Sequence, residues 1–139
     1  MTGKAFVDSN VLVYAHDADA GMKQRQAAGR LKELWENGCG RLSTQVLQEF
    51  YTNVTQKIKK PLARSVAREI IRNYGQWVES VITPSTVVRA SEISEAWKLS
   101  FWDSMIFAAA EQDDVELLLT EALNHGQIIA GIKVVNPFR

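Results

Sequence analysis

Strand-forming runs alternate with helical stretches along this chain, and that alternation limits the folds open to it more than any other feature. The opening "KAFVD" predicts a first strand ending near Asp8, and the β-branched and aromatic "VLVY" adds to the same signal. In "QRQAAGRLKELWENG", Ala27, Leu31, Leu34 and Trp35 fall at helical spacing and Gly38 is a natural stop. "GRLSTQ" reads as a short strand. "TQVLQEFYTNVTQKIKK" reads as a helix whose apolar face gathers Val46, Leu47, Phe50, Tyr51, Val54 and Ile58, with Glu49 and Asn53 one turn apart on its edge. Pro61 is placed to open the next helix and Gly75 to close it. "WVESVIT" reads as a strand, Ser85 as a helix cap, and "FWDSMIFAAAEQ" as a helix beginning at Asp103. "VELLLT" and "IKVVNPF" are buried-strand runs. Strands separated by helices imply an α/β fold around a mostly parallel sheet. In such sheets, sites form beyond the carboxyl ends of the strands.

The 139 residues suit one domain spanning 1–139, and 46% hydrophobic residues suffice to fill its core. No apolar run approaches the roughly 20 residues a membrane span needs. Asp8 interrupts the first apolar stretch, so the N-terminus reads as a strand and not as a leader. The single cysteine, Cys39, excludes an internal disulfide and a cysteine-based zinc cage, and a reducing cytoplasm is the expected setting. Net charge is zero and gives no hint of nucleic acid, but the charges are unevenly spread. Six bases (Lys57, Lys59, Lys60, Arg64, Arg68 and Arg72) and one acid lie between Lys57 and Arg72, and five acids and no base between Glu111 and Glu121.

Three carboxylates stand in apolar settings: Asp8 at the end of the first strand, Glu49 on a helix after a strand, and Asp103 at a helix start between Trp102 and Met105. Each has an ordinary explanation as a turn residue, a solvated side chain or a helix cap. Together they carry more, if they converge. At about 4 Å and an effective dielectric of about 20, each carboxylate pair repels by about 4 kcal/mol, so such a cluster needs protons or a cation. Oxygen ligands, with no cysteine cluster and only two scattered histidines, select Mg²⁺ or Mn²⁺.

"FVDSNVLVYA", "LSTQVLQEFYTNV", "LSFWDSMIFAAA", "LLLTEALNHGQ" and the closing "VVNPF" together resemble the PIN-domain nucleases, most closely the toxin (VapC-like) branch of bacterial toxin–antitoxin pairs. The blocks run in order from Phe6 to Phe138. The resemblance implies a Rossmann-like α/β/α sandwich that cleaves single-stranded RNA with Mg²⁺ or Mn²⁺, is neutralised by an antitoxin protein and forms a homodimer. By motif, Asp8, Glu49 and Asp103 match the family acids that hold the metal. Ser9, Asn10, Ser43, Asn53 and Thr120 match small polar positions that orient those ligands. Ordinary turn and helix-end hydrogen bonding explains them equally.

One position departs from the family pattern. The block "LLLTEALNHGQ" usually carries an acid two residues after its threonine, and here that residue is Ala122. Glu121 as a further metal ligand, or Asn124 in the following turn, substitutes for it; otherwise the site keeps three carboxylates. Lys60, Arg64, Arg68 and Arg72 recur every four residues as a stripe suited to RNA phosphates, or as a solvated helix face. His16 and His125 stand alone, and the four tryptophans read as core, with Trp102 the one suited to base stacking. Two other readings remain. One is a catalytically inactive PIN-like RNA-binding or protein-binding module. The other is a phosphoacceptor-type α/β domain, which would want a lysine near the acids that the matching blocks lack.

Overall fold

The computed structural model describes residues 3–139. Five strands form one sheet in the order β2-β1-β3-β5-β4. β1 (Ala5–Val7), β2 (Gly40–Arg41), β3 (Leu117–Leu119) and β5 (Ile132–Val135) are mutually parallel, and only β4 (Ile128–Ile129) runs antiparallel, against β5. Six α-helices complete the fold: α1 (Ser9–Ala15), α2 (Met22–Asn37), α3 (Thr44–Thr52), α4 (Arg64–Tyr74), α5 (Pro84–Trp97) and α6 (Phe101–Gln112). α1 packs on α2 and α3, α3 packs on α4, and α5 pairs with α6. The core between these layers is apolar and closed, with Phe6, Phe50 and Phe107 fully buried. Burying each such ring stabilises the fold by about 2–3 kcal/mol.

The first strand ends at Val7, one residue short of Asp8, as expected. "VLVY", however, belongs to a helix. The Asp8 carboxylate caps α1 by accepting the Ser9 N–H, and Val11, Leu12 and Ala15 then fall on its buried side. A local cap outweighs β-propensity where helical spacing also buries the apolar residues. α3 does not continue through Lys60. A π-helical turn over Asn53–Lys57 follows it, and Ile58 turns extended. α4 starts at Arg64, three residues after Pro61, so Lys60 lies outside the helix and the basic stripe is not on one element.

"WVESVIT" is not a strand. It contributes one bridge, Leu42 to Val78, with Trp77 buried and Val81 exposed. Thr83, not Ser85, caps α5, through a reciprocal box with Thr86 and with Pro84 at the first helical position. Ser100 caps α6, which puts Asp103 inside its first turn rather than at its start. β4 is an addition to the elements the sequence predicts. It folds onto β5 through Ala130 and Gly131, both at positive φ, a turn suited to two-residue hairpins. Gly40 is fixed by packing, because a Cβ there would stand 2.6 Å from the Trp77 ring.

Candidate active site

Parallel pairing sets Val7 beside Leu119, so the residues that follow them leave the sheet together at its carboxyl edge. Asp8 N–H donates to the Leu119 carbonyl and Thr120 N–H to the Val135 carbonyl, both at 3.0 Å. The Thr120 hydroxyl donates to Asp8 Oδ2 at 3.0 Å. Asn10 Nδ2 donates to Thr120 Oγ1 at 3.0 Å and to Asp8 Oδ2 at 3.4 Å. Ser9 N–H donates to Asp8 Oδ1 at 2.8 Å. Burial is the main force on this carboxyl and pushes its pKa up to about 6. The Ser9 and Thr120 bonds pull it down, while repulsion from Glu49 and Asp103 adds to the rise.

Glu49 reaches this edge from α3. Ser9 Oγ donates to its Oε1 at 3.0 Å. Asn53 sits one turn on, as the sequence implied, but its side-chain amide donates to the Glu49 backbone carbonyl at 2.7 Å, not to the carboxylate. Asp103 approaches from the first turn of α6, where Ser100 Oγ accepts its N–H at 3.1 Å. Gln45 ties the two helices by donating to the Trp102 carbonyl at 3.1 Å.

Among the described residues, none of Asp8, Glu49 and Asp103 forms an ion pair with a base, whereas Glu121, Glu79 and Glu111 each do. Ser43 Oγ and Gln45 Oε1, on the same α3 N-terminal turn, are buried without a hydrogen-bond partner. The uncompensated side chains thus offer oxygen only, which fits a hard divalent cation and no soft one. Among the described residues no three such groups already stand close enough to form a closed metal cage.

Glu121 is differently engaged. Its carboxylate accepts the Tyr14 hydroxyl at 2.5 Å and the Lys23 ammonium at 2.5 Å. Burial alone would raise its pKa, but these two partners hold it below the ordinary glutamate value. The Lys23 ammonium also lies over the rings of Tyr14 and Phe138, 4.9 and 5.5 Å from their centroids. Only the backbone of Glu121 touches the Asp8 network, through its N–H to Asn10 Oδ1 at 3.2 Å. Ala122 is exposed, and its N–H donates to Thr120 Oγ1 at 3.1 Å. Asn124 is exposed in the turn before β4. Tyr14, Lys23 and Gln45 carried no signal in the sequence, because a side chain's partner across the fold has no local pattern.

The basic stripe divides. Lys60 pairs with Asp19 at 3.6 Å and Arg72 with Glu69 at 2.7 Å, while Arg64 and Arg68 stand exposed on α4. Trp77 alone of the four tryptophans is buried, and Trp102, beside Asp103, is 66% exposed. His125 Nδ1 accepts the Asn136 N–H, and His16 lies half-buried against Phe50 and Tyr74.

The family profile described as "PIN domain" matches residues 5–121 of this chain. Among solved structures, the chain is similar to one described as "Toxin-antitoxin complex from Klebsiella pneumoniae". That match has a TM-score of 0.69 at 19% identity and covers 96% of this chain and 98% of the other, a likeness of fold. No curated protein matches the chain by sequence.

Proposed function

Since the chain belongs to the PIN-domain family, whose members are generally nucleases, we propose that it is a divalent-metal-dependent endoribonuclease that cleaves single-stranded RNA, acting as the toxin of a toxin–antitoxin pair. One observation carries the reading. Asp8 at the carboxyl edge of the sheet feels repulsion from both Glu49 and Asp103, Ser9 ties Asp8 to Glu49, and no base among the described residues forms an ion pair with any of the three. Asp8, Glu49 and Asp103 would hold Mg²⁺ or Mn²⁺. When bound, such a cation supplies an acidified water and charge stabilisation for a phosphodiester under attack.

The chain's own part is positioning. Thr120 and the Ser9 N–H fix the two oxygens of Asp8, the Ser9 hydroxyl fixes Glu49, and Ser100 fixes the helix turn that carries Asp103. Asn53 braces the C-terminal end of the helix that carries Glu49, and Ser43 stands at its N-terminal end with its hydroxyl unpartnered. Glu121 stays with Lys23 and Tyr14 and leaves the metal to the three acids. An antitoxin partner is in keeping with the similar solved structure, which is of a toxin–antitoxin complex. A homodimer in the cytoplasm completes the proposal. Among the described residues no helix is long and apolar enough to cross a membrane.

A second reading, a PIN-like binding module without catalysis, draws on Ala122 and on the lack of a preformed cage among the described residues. One assay separates the two. The purified chain is incubated with labelled single-stranded RNA, a duplex of the same RNA, and single-stranded DNA, each with Mn²⁺, Mg²⁺ or EDTA. Cleavage of single-stranded RNA that needs the cation and is lost in Asp8→Asn is expected. Binding without cleavage under every condition would favour the module.

A further inference from the structure

The π-helical turn after α3 does more than end the helix. It carries the chain from Asn53, which bonds Glu49, to Lys57 and Lys59 within a few residues. Those two lysines and Ile58 help line a groove of about 390 Å³. Ser9, Asn10 and Asn53, each bonded to Asp8 or Glu49 or their backbone, also line it. Ser9 and Asn10 are the same side chains that bond Glu49 and Asp8, so the groove borders the residues that hold those two acids, although the acids themselves do not line it. Lys57 and Lys59 are exposed, and neither forms an ion pair among the described residues. Their neighbour Lys60 does, and so points its charge to Asp19 instead. The groove holds one acid, Asp17, whose Oδ1 accepts the Asp19 N–H at 2.9 Å.

We propose that this groove is a substrate subsite in which Lys57 and Lys59 hold the phosphates of single-stranded RNA next to the bond being cut, while Ser9 and Asn10 hand the strand over to the acids. The subsite rests on the ribonuclease reading and deepens it. Two ammonium groups without an ion-pair partner among the described residues, near acids that likewise lack one, suit a polyanion that a cation at the acids also attracts. The carboxylates alone would repel that strand. Lysine, a compact point charge on a flexible stem, tolerates the variable backbone of single strands. The exposed Arg64 and Arg68 belong to α4 and do not line the groove.

The test is binding without metal, so that no cleavage intervenes. A short fluorescein-labelled oligoribonucleotide of mixed sequence is titrated with wild type and with Lys57→Gln/Lys59→Gln, in EDTA, over a series of salt concentrations. For single strands each neutralised phosphate contributes about 0.7 to the slope of log K against log salt. The double variant should therefore flatten the slope by about 1.4 and bind about 25-fold more weakly near 0.1 M salt. Thermal melts should coincide, because both side chains are exposed. An unchanged slope and affinity would overturn the subsite, whatever the nuclease assay gives. If wild type cuts no RNA with either cation, the ribonuclease reading falls instead, and the slope still judges the lysines. The slope should flatten equally for single-stranded DNA, because a lysine–phosphate contact does not read the sugar; flattening with only one of the two strands would overturn phosphate as the group held.

Discussion

Ser9 bonds both of the first two acids: its N–H reaches Asp8 Oδ1 at 2.8 Å and its hydroxyl reaches Glu49 Oε1 at 3.0 Å. One side chain thus ties the end of β1 to the middle of α3, forty positions away in sequence. A serine directly after the acid serves two purposes, because its backbone belongs to the first turn of α1 while its side chain is free to face α3.

Removing that hydroxyl, Ser9→Ala, keeps the N–H and loses the tie to Glu49. One hydrogen bond of this kind stabilises by about 1 kcal/mol, so the melting temperature should fall slightly. The larger effect should be on Mn²⁺ affinity measured by calorimetry, since an untethered Glu49 must be ordered on binding. Ser9→Thr, which keeps the hydroxyl, should recover most of it. Equal Mn²⁺ affinity in wild type and Ser9→Ala would show that Glu49 needs no holding or binds no metal.

The buried Asp8 carboxyl predicts a pH dependence with a definite sign. The unfolded chain releases this proton near its ordinary value of 3.8, and the folded chain only near about 6. Between those values the folded state keeps a proton that the unfolded state has lost. Stability of the metal-free protein should therefore fall as pH rises through that window, by about 3 kcal/mol in all, and fall no further above it. Asp8→Asn has no such proton and should lack that part of the decline. Saturating Mn²⁺ favours the charged form and should remove the decline in wild type. Chemical denaturation of both proteins across the window checks this; parallel curves would mean that Asp8 ionises as it does in the unfolded chain.

The sheet strands and the place of Asp8 at the end of the first of them are legible in the sequence because their signals are local. Leu117–Leu119 is a short apolar run, Ile132–Val135 alternates buried residues with the exposed Lys133, and Asp8 is conspicuous among apolar neighbours. "VLVY" misleads because β-branched residues also serve a helix when its cap is strong, and "WVESVIT" because Trp77 is buried by Gly40 rather than by strand pairing. Lys60 is set apart from Arg64 because a spacing of four is blind to the break in the helix after the π turn. The Lys23–Glu121–Tyr14 cluster is illegible because its members meet across about a hundred positions.

Arg64 and Arg68 are exposed bases of α4 and carry a separate expectation. Charge reversal of both should weaken RNA binding and flatten its salt dependence if the strand continues over α4, since each neutralised phosphate adds to the slope. The same oligoribonucleotide titration measures it. A slope equal to wild type would assign these two arginines to solvent.

By the resemblance drawn from the sequence, Ala122 falls at a position that usually carries an acid, one residue beyond the part of the chain that the family profile matches, and it is exposed beside Thr120. Glu121, one residue earlier, is held by Lys23 and Tyr14 and does not take over the role in the proposed site. Ala122→Asp adds a carboxylate with room to move, so two effects oppose each other. A fourth acid adds repulsion to the metal-free site, and it adds a ligand or a water-mediated contact once a cation is bound. The variant should bind Mn²⁺ more tightly and cleave RNA faster, with metal-free stability unchanged or reduced. Glu121→Gln makes the complementary test. It weakens the pairing with Lys23 and should lower the melting temperature while leaving Mn²⁺ affinity as it was. Calorimetry, a gel-based cleavage assay and thermal melts at one ionic strength compare the three proteins. If Ala122→Asp gains nothing and Glu121→Gln loses Mn²⁺ binding, then Glu121 leaves Lys23 to serve the metal, and the missing acid has been replaced by its neighbour.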